Sequence, residues 1–249
     1  MNNEYSENIV KPKIQSIDDN EEFYILGLPV KTDIGYCHFL KVKDYPKLNR
    51  DLQIVSLTKL HFLHQFRENN DDKELLEELE KLSLAQIVFS LDEIKEAYIR
   101  VFTHFFQDEE AIYKIQSEEE FEYYRALILK LSCIKEEKIN PNPEIQRAIE
   151  RSKRVKAQES EKMEFADIVT SVSAIKGVGY DEIQEMSLYQ LYMDFYRIAQ
   201  VKSYEASILF ATVAEKVEIE SFNKHIDMFE EEKHSLTRNE FSKVASVLD

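Results

Sequence analysis

Apolar positions recur at helical spacing along most of this chain, and they break that rhythm early. Phe23–Val30 and Ile34–Val42 are rich in β-branched and aromatic residues, and Lys31-Thr-Asp33 separates them. That pattern predicts a β-hairpin with Pro29 at a strand end, where its missing N–H costs nothing. Two strands alone are marginal, so the hairpin must pack on helices. From Tyr45 the spacing turns helical. In Leu52–Phe66 the apolar residues Leu57, Leu60, Phe62, Leu63 and Phe66 leave little polar face, which predicts a single, largely buried helix.

Helix starts are announced by capping boxes, in which a side-chain oxygen and an acid or amide three residues on satisfy two orphan amides reciprocally. Asp71…Glu74, Ser83…Gln86, Ser90…Glu93 and Ser117…Glu120 all fit. Leu82 with Ile87, and Phe89 with Ile94, supply hydrophobic staples. The boxes at Ser83 and Ser90 are too close for two long helices, so a kink or tight turn is expected near Ser90. Ile94, Ala97, Tyr98, Val101 and Phe105 form one core stripe; Phe121, Tyr124, Ile128 and Leu131 form another.

Asn140-Pro-Asn-Pro143 then stops the helical pattern, because residues before proline avoid the helical region. Glu144–Lys162 is helix-compatible and almost wholly charged, as in a connecting helix. Beyond it, Phe165–Ile175 reads as a helix ended at Gly177 and Gly179. Asp181…Gln184 opens a short turn, and Ser187…Gln190 with the staple pair Met186 and Leu191 opens a stronger helix. Leu188, Leu191, Phe195 and Ile198 form its core stripe. A separate small apolar helix is expected at Ser203–Val213. Ile219, Phe222, Ile226 and Phe229 line a further one, and Thr237…Glu240, stapled by Leu236 and Phe241, caps the last. The reading is a mainly α protein in four parts. These are a polar tail over 1–20, a helical domain with an N-terminal β-hairpin over 21–140, a charged linker helix over 141–162, and a C-terminal helical bundle over 163–249.

Composition narrows the function. Only 4 glycines and 5 prolines among 249 residues agree with long helices rather than a turn-rich sheet protein. The net charge of −16 repels phosphate backbones, so nucleic acid is not an expected partner. No apolar run approaches the roughly 18 residues of a membrane span, and Met1–Asn20 carries no apolar signal core. Cys37 and Cys133 form no ligand spacing and sit beside apolar neighbours, as reduced core thiols do. These features predict a cytoplasmic protein without a membrane partner.

Catalytic and metal chemistry have thin candidates. His61, His64 and Glu68 share one helical side, a spacing that presents two imidazoles and a carboxylate to a metal. The competing expectation, favoured by Leu60, Phe62 and Leu63, is that these histidines edge a core. Ser56-Leu-Thr-Lys59 spells SxxK without its companion motifs, and no phosphate-cradling glycine loop exists. No nucleophile, base and charge stabiliser assemble from the sequence, so neither an enzyme nor a cofactor is expected. What remains is surface. Tyr189, Tyr192 and Tyr196 make a stripe that combines large apolar area with a polar handle, suited to partner recognition or to the rim of a core.

A resemblance gives that surface a partner. Over Tyr180–Lys233 the chain resembles the C-terminal part of tail assembly chaperones of long-tailed phages and prophages of Gram-positive bacteria. The matching elements are Met-Ser-Leu-Tyr-Gln-Leu at Met186–Leu191, Phe195-Tyr-Arg-Ile198, and Ile219–Ile226. The resemblance implies an acidic, helical, non-catalytic protein of the host cytoplasm. Such a protein coats the apolar tape measure protein until the tail tube polymerises and is absent from the finished tail. A second copy of this chain, in a homo-oligomer, is a further partner to expect. Three other readings stay open at this point. The chain is a structural virion component such as a connector or scaffold, a metal-dependent enzyme built on His61, His64 and Glu68, or an acidic DNA mimic.

Overall fold

The computed structural model describes residues 21–69, 73–136, 139–140, 142–159, 163–213, 219 and 221–229. They are mainly helical, with one small antiparallel hairpin near the N-terminus. They fall into two compact units. Residues up to Ala148 form the first together with Gln184–Gln190; Ile149–Ile183 and the residues from Leu191 onward form the second.

The first unit begins with a helix where a strand was expected. Glu21–Leu26 is α1, closed by Gly27 in the left-handed region at φ 66°. The β propensity of Tyr24-Ile25 loses to tertiary packing. The Tyr24 ring is fully buried, edge-on to Phe39 at 5.9 Å and to Tyr189 at 5.7 Å. The hairpin follows as β1 (Val30–Thr32) and β2 (Gly35–Cys37), paired Val30 to Cys37 and Thr32 to Gly35. It is therefore shorter than the sequence suggests and turns at Asp33-Ile34.

The expected single helix over Leu52–Phe66 is two helices, α2 (Tyr45–Ser56) and α3 (Lys59–Asn69). Arg125, only 2% exposed, explains the break. Its guanidinium donates to the carbonyls of Val55 at 2.8 Å and of Ser56 and Leu57 at 3.2 Å, and pairs with Glu122 and Glu136. Carbonyls that would otherwise continue the helix ladder are thus satisfied from the side. Thr58 then caps α3 with an unexpected partner. His61 Nδ1 accepts from the Thr58 N–H at 3.1 Å and lies 2.8 Å from its hydroxyl, doing the work Glu does in a capping box.

Next come α4 (Lys73–Lys81), α5 (Leu84–Ser90), α6 (Asp92–Phe106) and, after a 3-10 turn at Ala111–Lys114, α7 (Glu118–Leu131). The Ser83–Gln86 box forms in full. The chain does turn at Ser90–Leu91, but Ser90 makes no cap: its hydroxyl donates to Gln86 O at 2.7 Å, and Leu91 precedes α6. Ser117 accepts from the Glu120 N–H at 3.2 Å, while Glu120 reaches back to the Gln116 N–H at 2.8 Å. The box at Asp71 lies outside the described residues.

Buried Ala97, Tyr98, Val101, Phe102 and Phe105 of α6 face α2, and buried Phe121, Tyr124 and Ile128 of α7 complete the core. Its rings are ordered. Tyr98 stacks on Phe121 at 5.5 Å and on Phe102 at 6.3 Å, and Phe106 meets Tyr124 edge-on at 5.8 Å. Cys37 is buried here, and burial pushes its thiol up, keeping it protonated.

The charged helix α8 (Pro143–Glu159) starts with proline in its first turn, and Asn142 Oδ1 accepts the Glu144 N–H at 3.0 Å. In the second unit, α9 (Phe165–Lys176) ends as expected at Gly177, with φ 68°. Then come α10 (Tyr180–Ile183) and α11 (Leu188–Ala211). The helix expected separately at Ser203–Val213 is the continuation of α11, because the Ser207 hydroxyl donates to Ser203 O and spends its polarity inside the helix. Residues 221–229 are irregular rather than helical. The helix start expected at Thr237 lies outside the described residues, as does the tail over 1–20.

Candidate functional site

α11 carries the tyrosine stripe, and the structure divides it. Its start is the expected capping box: Ser187 N–H donates to Gln190 Oε1 at 2.9 Å, and Gln190 N–H to Ser187 Oγ at 3.1 Å. Gln190 Nε2 also donates to Ile25 O at 2.9 Å, tying this first turn to α1 within the first unit. Tyr189 is only 6% exposed and sits edge-on to Tyr24 and Phe39. It is part of a core.

Tyr192 and Tyr196 belong to the second unit. Their rings stack at 6.4 Å, and Tyr196 is 42% exposed. Further along α11, Arg197 donates to the carbonyls of Phe222 at 2.8 Å and Lys224 at 3.0 Å. Phe222 lies against the Tyr204 ring at 5.2 Å. These contacts cover the helix side that carries Arg197 and Tyr204. At about 100° per residue, Ala206, Leu209 and Phe210 share another side of α11, with Tyr192 upstream on the Phe210 edge of it, and Val213 follows in the turn after the helix. Leu209 is 70%, Phe210 64% and Val213 84% exposed. Those three were missed as surface. Sequence carried no signal for it, because apolar residues at helical spacing read equally as a core stripe.

The remaining candidates do other work. His61 is the capping partner described above. His64 lines a cleft of about 430 Å³ with Lys59, Leu63 and Glu80. Glu68 lies on α3, with its side chain outside the described residues. Among the described residues, no group of three or more His, Cys, Asp or Glu is placed to hold a metal.

A second cleft in the first unit, about 680 Å³, contains Lys41, Lys43, Glu185 and His104. Both lysines donate to Glu185 at 2.6 Å, and those bonds hold its carboxyl down at about 2. The same stretch runs antiparallel to Leu40–Lys43, with Val42 N–H on Met186 O at 3.0 Å and Leu188 N–H on Leu40 O at 2.7 Å. The ion pairs therefore clamp 184–190 to the strand-like segment after the hairpin. Burial lowers the pKa of His104, with Asp44 opposing and His38 and Lys47 assisting.

The profile of the YomV N-terminal domain matches residues 18–141, and that of the YomV second domain matches 156–227. An SPbeta prophage-derived uncharacterized protein, YomV of Bacillus subtilis (strain 168), is 34% identical over 235 residues, covering 93% of this chain and 99% of the relative. The chain belongs to the YomV family. That places it among prophage-related proteins of Bacillus. The two YomV domain matches fall on either side of the middle of α8. No solved structure matches the chain. Among the described residues, no helix is long and apolar enough to cross a membrane.

Proposed function

We propose that this YomV-family chain is a non-catalytic tail assembly chaperone of a prophage. It would work in the host cytoplasm and hold an apolar helical protein, the tape measure, until the tail tube forms. The observation that carries the reading is the apolar surface left open on α11 at Tyr196, Leu209 and Phe210, with exposed Val213 in the turn that follows the helix. A helix that shows this much apolar surface gains by taking a partner helix along the same side. The resemblance to tail assembly chaperones falls on this segment, and the prophage origin of the relative fits it. The acidic surface, net −16, keeps such a protein soluble while it carries a greasy client.

The test is co-expression with the prophage's longest apolar helical protein, followed by capture on the tagged chain. Capture of a soluble complex is expected, and exchanging Tyr192 and Tyr196 for Ser lowers it by about tenfold. Unchanged capture by a folded double variant refutes the assigned face. Abundant peptides of this chain in purified mature tails refute the chaperone reading in favour of a structural component.

A further inference from the structure

We infer that the break between α2 and α3 forms a small anion site, built to take the dianionic phosphate of a small phosphomonoester. The inference goes beyond the chaperone reading and stands without it.

The site is a cleft of about 330 Å³ in the first unit, and its lining includes Arg50, Gln53, Ile54, Leu57, His61 and Lys135. A cleft of that size takes one small molecule. No described carboxylate lines it, although the chain holds 48 acids against 32 Lys and Arg.

Helix α2 supplies one wall. Arg50, Gln53, Ile54 and Leu57 follow one another at i, i+3, i+4 and i+7, on the side away from buried Leu48, Leu52 and Val55. Among the described residues, neither the Arg50 guanidinium nor the Gln53 side-chain amide has a partner. Arg67, Arg100 and Arg125 of the same unit each meet a carboxylate. Arg50 therefore keeps its planar fork of donors for an oxyanion.

Lys135 arrives from α7. That helix ends in a Schellman turn, with Cys133 N–H on Lys130 O at 3.0 Å, Ile134 N–H on Leu129 O at 2.9 Å, and Cys133 at φ 55°. The reversal puts Lys135 in the cleft wall, while its neighbour Glu136 is held by Arg125 and is not part of the lining. His61 adds a donor. Its Nδ1 accepts the Thr58 N–H, so the hydrogen of the neutral ring sits on Nε2.

The C-terminus of a helix ordinarily repels anions. Arg125 removes that obstacle at the end of α2, because its guanidinium already serves the carbonyls of Val55, Ser56 and Leu57. Arg50 lies in mid-helix rather than the last turn, so offsetting the dipole is not its task. Two permanent cations, Arg50 and Lys135, balance a dianion, whereas a monocarboxylate leaves one of them over. Half-buried Ile54 and Leu57 give the organic part of the ligand an apolar surface.

The test is calorimetric titration of the full chain with phenyl phosphate at fixed ionic strength and about pH 8, where the phosphate is dianionic. Benzoate is the singly charged match. Saturable binding of phenyl phosphate, about tenfold tighter than benzoate, is expected. Equal binding of the two, or no binding of phenyl phosphate, overturns the site. Arg50→Gln and Lys135→Gln, both at exposed positions, should each weaken phenyl phosphate about tenfold, the loss of one charge-assisted contact. Lys81→Gln removes the same charge from an exposed residue outside the cleft and should change the affinity by less than about twofold. An equal loss in all three variants shows diffuse attraction to basic side chains and also overturns the site. Unchanged thermal midpoints verify that the variants fold. No client protein enters these titrations, so failed client capture with intact phosphate binding refutes only the chaperone reading.

Discussion

The two units use aromatic and aliphatic residues in opposite ways. In the first, Tyr98, Phe102 and Phe121 are fully or almost fully buried, ring against ring. In the second, Leu209 and Phe210 stand mostly in water at the end of α11, and Val213 in the turn after it. Composition points the wrong way, because the exposed stretch of α11 is the richer of the two in apolar side chains. What differs is whether other elements converge on the helix. Helices α2 and α7 both pack beside α6 or its neighbours, whereas the 221–224 stretch meets α11 at Arg197, Gln200 and Tyr204, ahead of Leu209 and Phe210. Apolar surface that is buried stabilises its own unit. Apolar surface left out is available for a contact made later.

That contrast breaks most visibly when one phenylalanine is shortened in each unit. Phe102→Ala leaves a cavity in the stacked core and should cost about 4 kcal/mol of unfolding free energy. Phe210→Ala, at a ring 64% exposed, should change stability by no more than about 0.5 kcal/mol. Urea unfolding of the two variants in parallel measures both. Equal losses would erase the distinction between the units.

Arg125 tests how the first unit is held together rather than how it is filled. Its guanidinium serves three carbonyls at the end of α2 from the middle of α7, while its carboxylate partner Glu136 is 43% exposed at the side chain. Arg125→Met keeps the volume and removes the donors. The orphaned carbonyls should cost about 3 kcal/mol, seen as a lower thermal midpoint. A variant as stable as the natural chain would show that water replaces the arginine, and that the α2–α3 break has another cause.

How far the sequence announces these features depends on how local their causes are. Helices α5, α7, α9 and the start of α11 are legible because their caps lie within four residues: Ser83, Ser117, Gly177 and Ser187 act on their immediate neighbours. The core stripe of α6 is legible for the same reason. The break between α2 and α3 is not, since the deciding residue, Arg125, is 70 residues away from Val55. Nor is α1, where Tyr24 is claimed by Tyr189 from the other end of the chain. The tyrosine stripe shows both sides of this. Spacing correctly places Tyr189, Tyr192 and Tyr196 on one helix, but only tertiary contacts reveal that Tyr189 is sealed and Tyr196 open.

The α3 cap offers a smaller and more local test. Thr58→Ala removes the hydroxyl beside His61 Nδ1 and should cost about 1 kcal/mol. His61→Glu, which restores the usual acidic capping partner, should retain most of the stability, whereas His61→Ala should not. Thermal midpoints of the three variants decide. If His61→Ala is neutral, the imidazole is a bystander and its conformation needs another explanation.

The smallest effect belongs to His104, on the face of α6 turned away from the aromatic stack. Burial holds its pKa below the ordinary 6.5, so the unfolded chain takes up the proton first as pH falls. Its stability contribution is therefore complete above pH 6.5 and is lost as pH drops through the lower folded-state value. The opposing charge is Asp44; His38 and Lys47 push the same way as burial. The thermal midpoint of the first unit should thus decline between about pH 7 and about pH 5, and His104→Gln should flatten part of that decline. His104 and Phe105 are adjacent on α6, with rings 5.8 Å edge-on, so charging the imidazole acts on a buried neighbour. A profile identical in the natural chain and the variant would place the acid sensitivity elsewhere, and not in the Glu185 clamp, whose carboxyl is held at about 2 and loses its contribution only below the ordinary carboxylate value of 4.5.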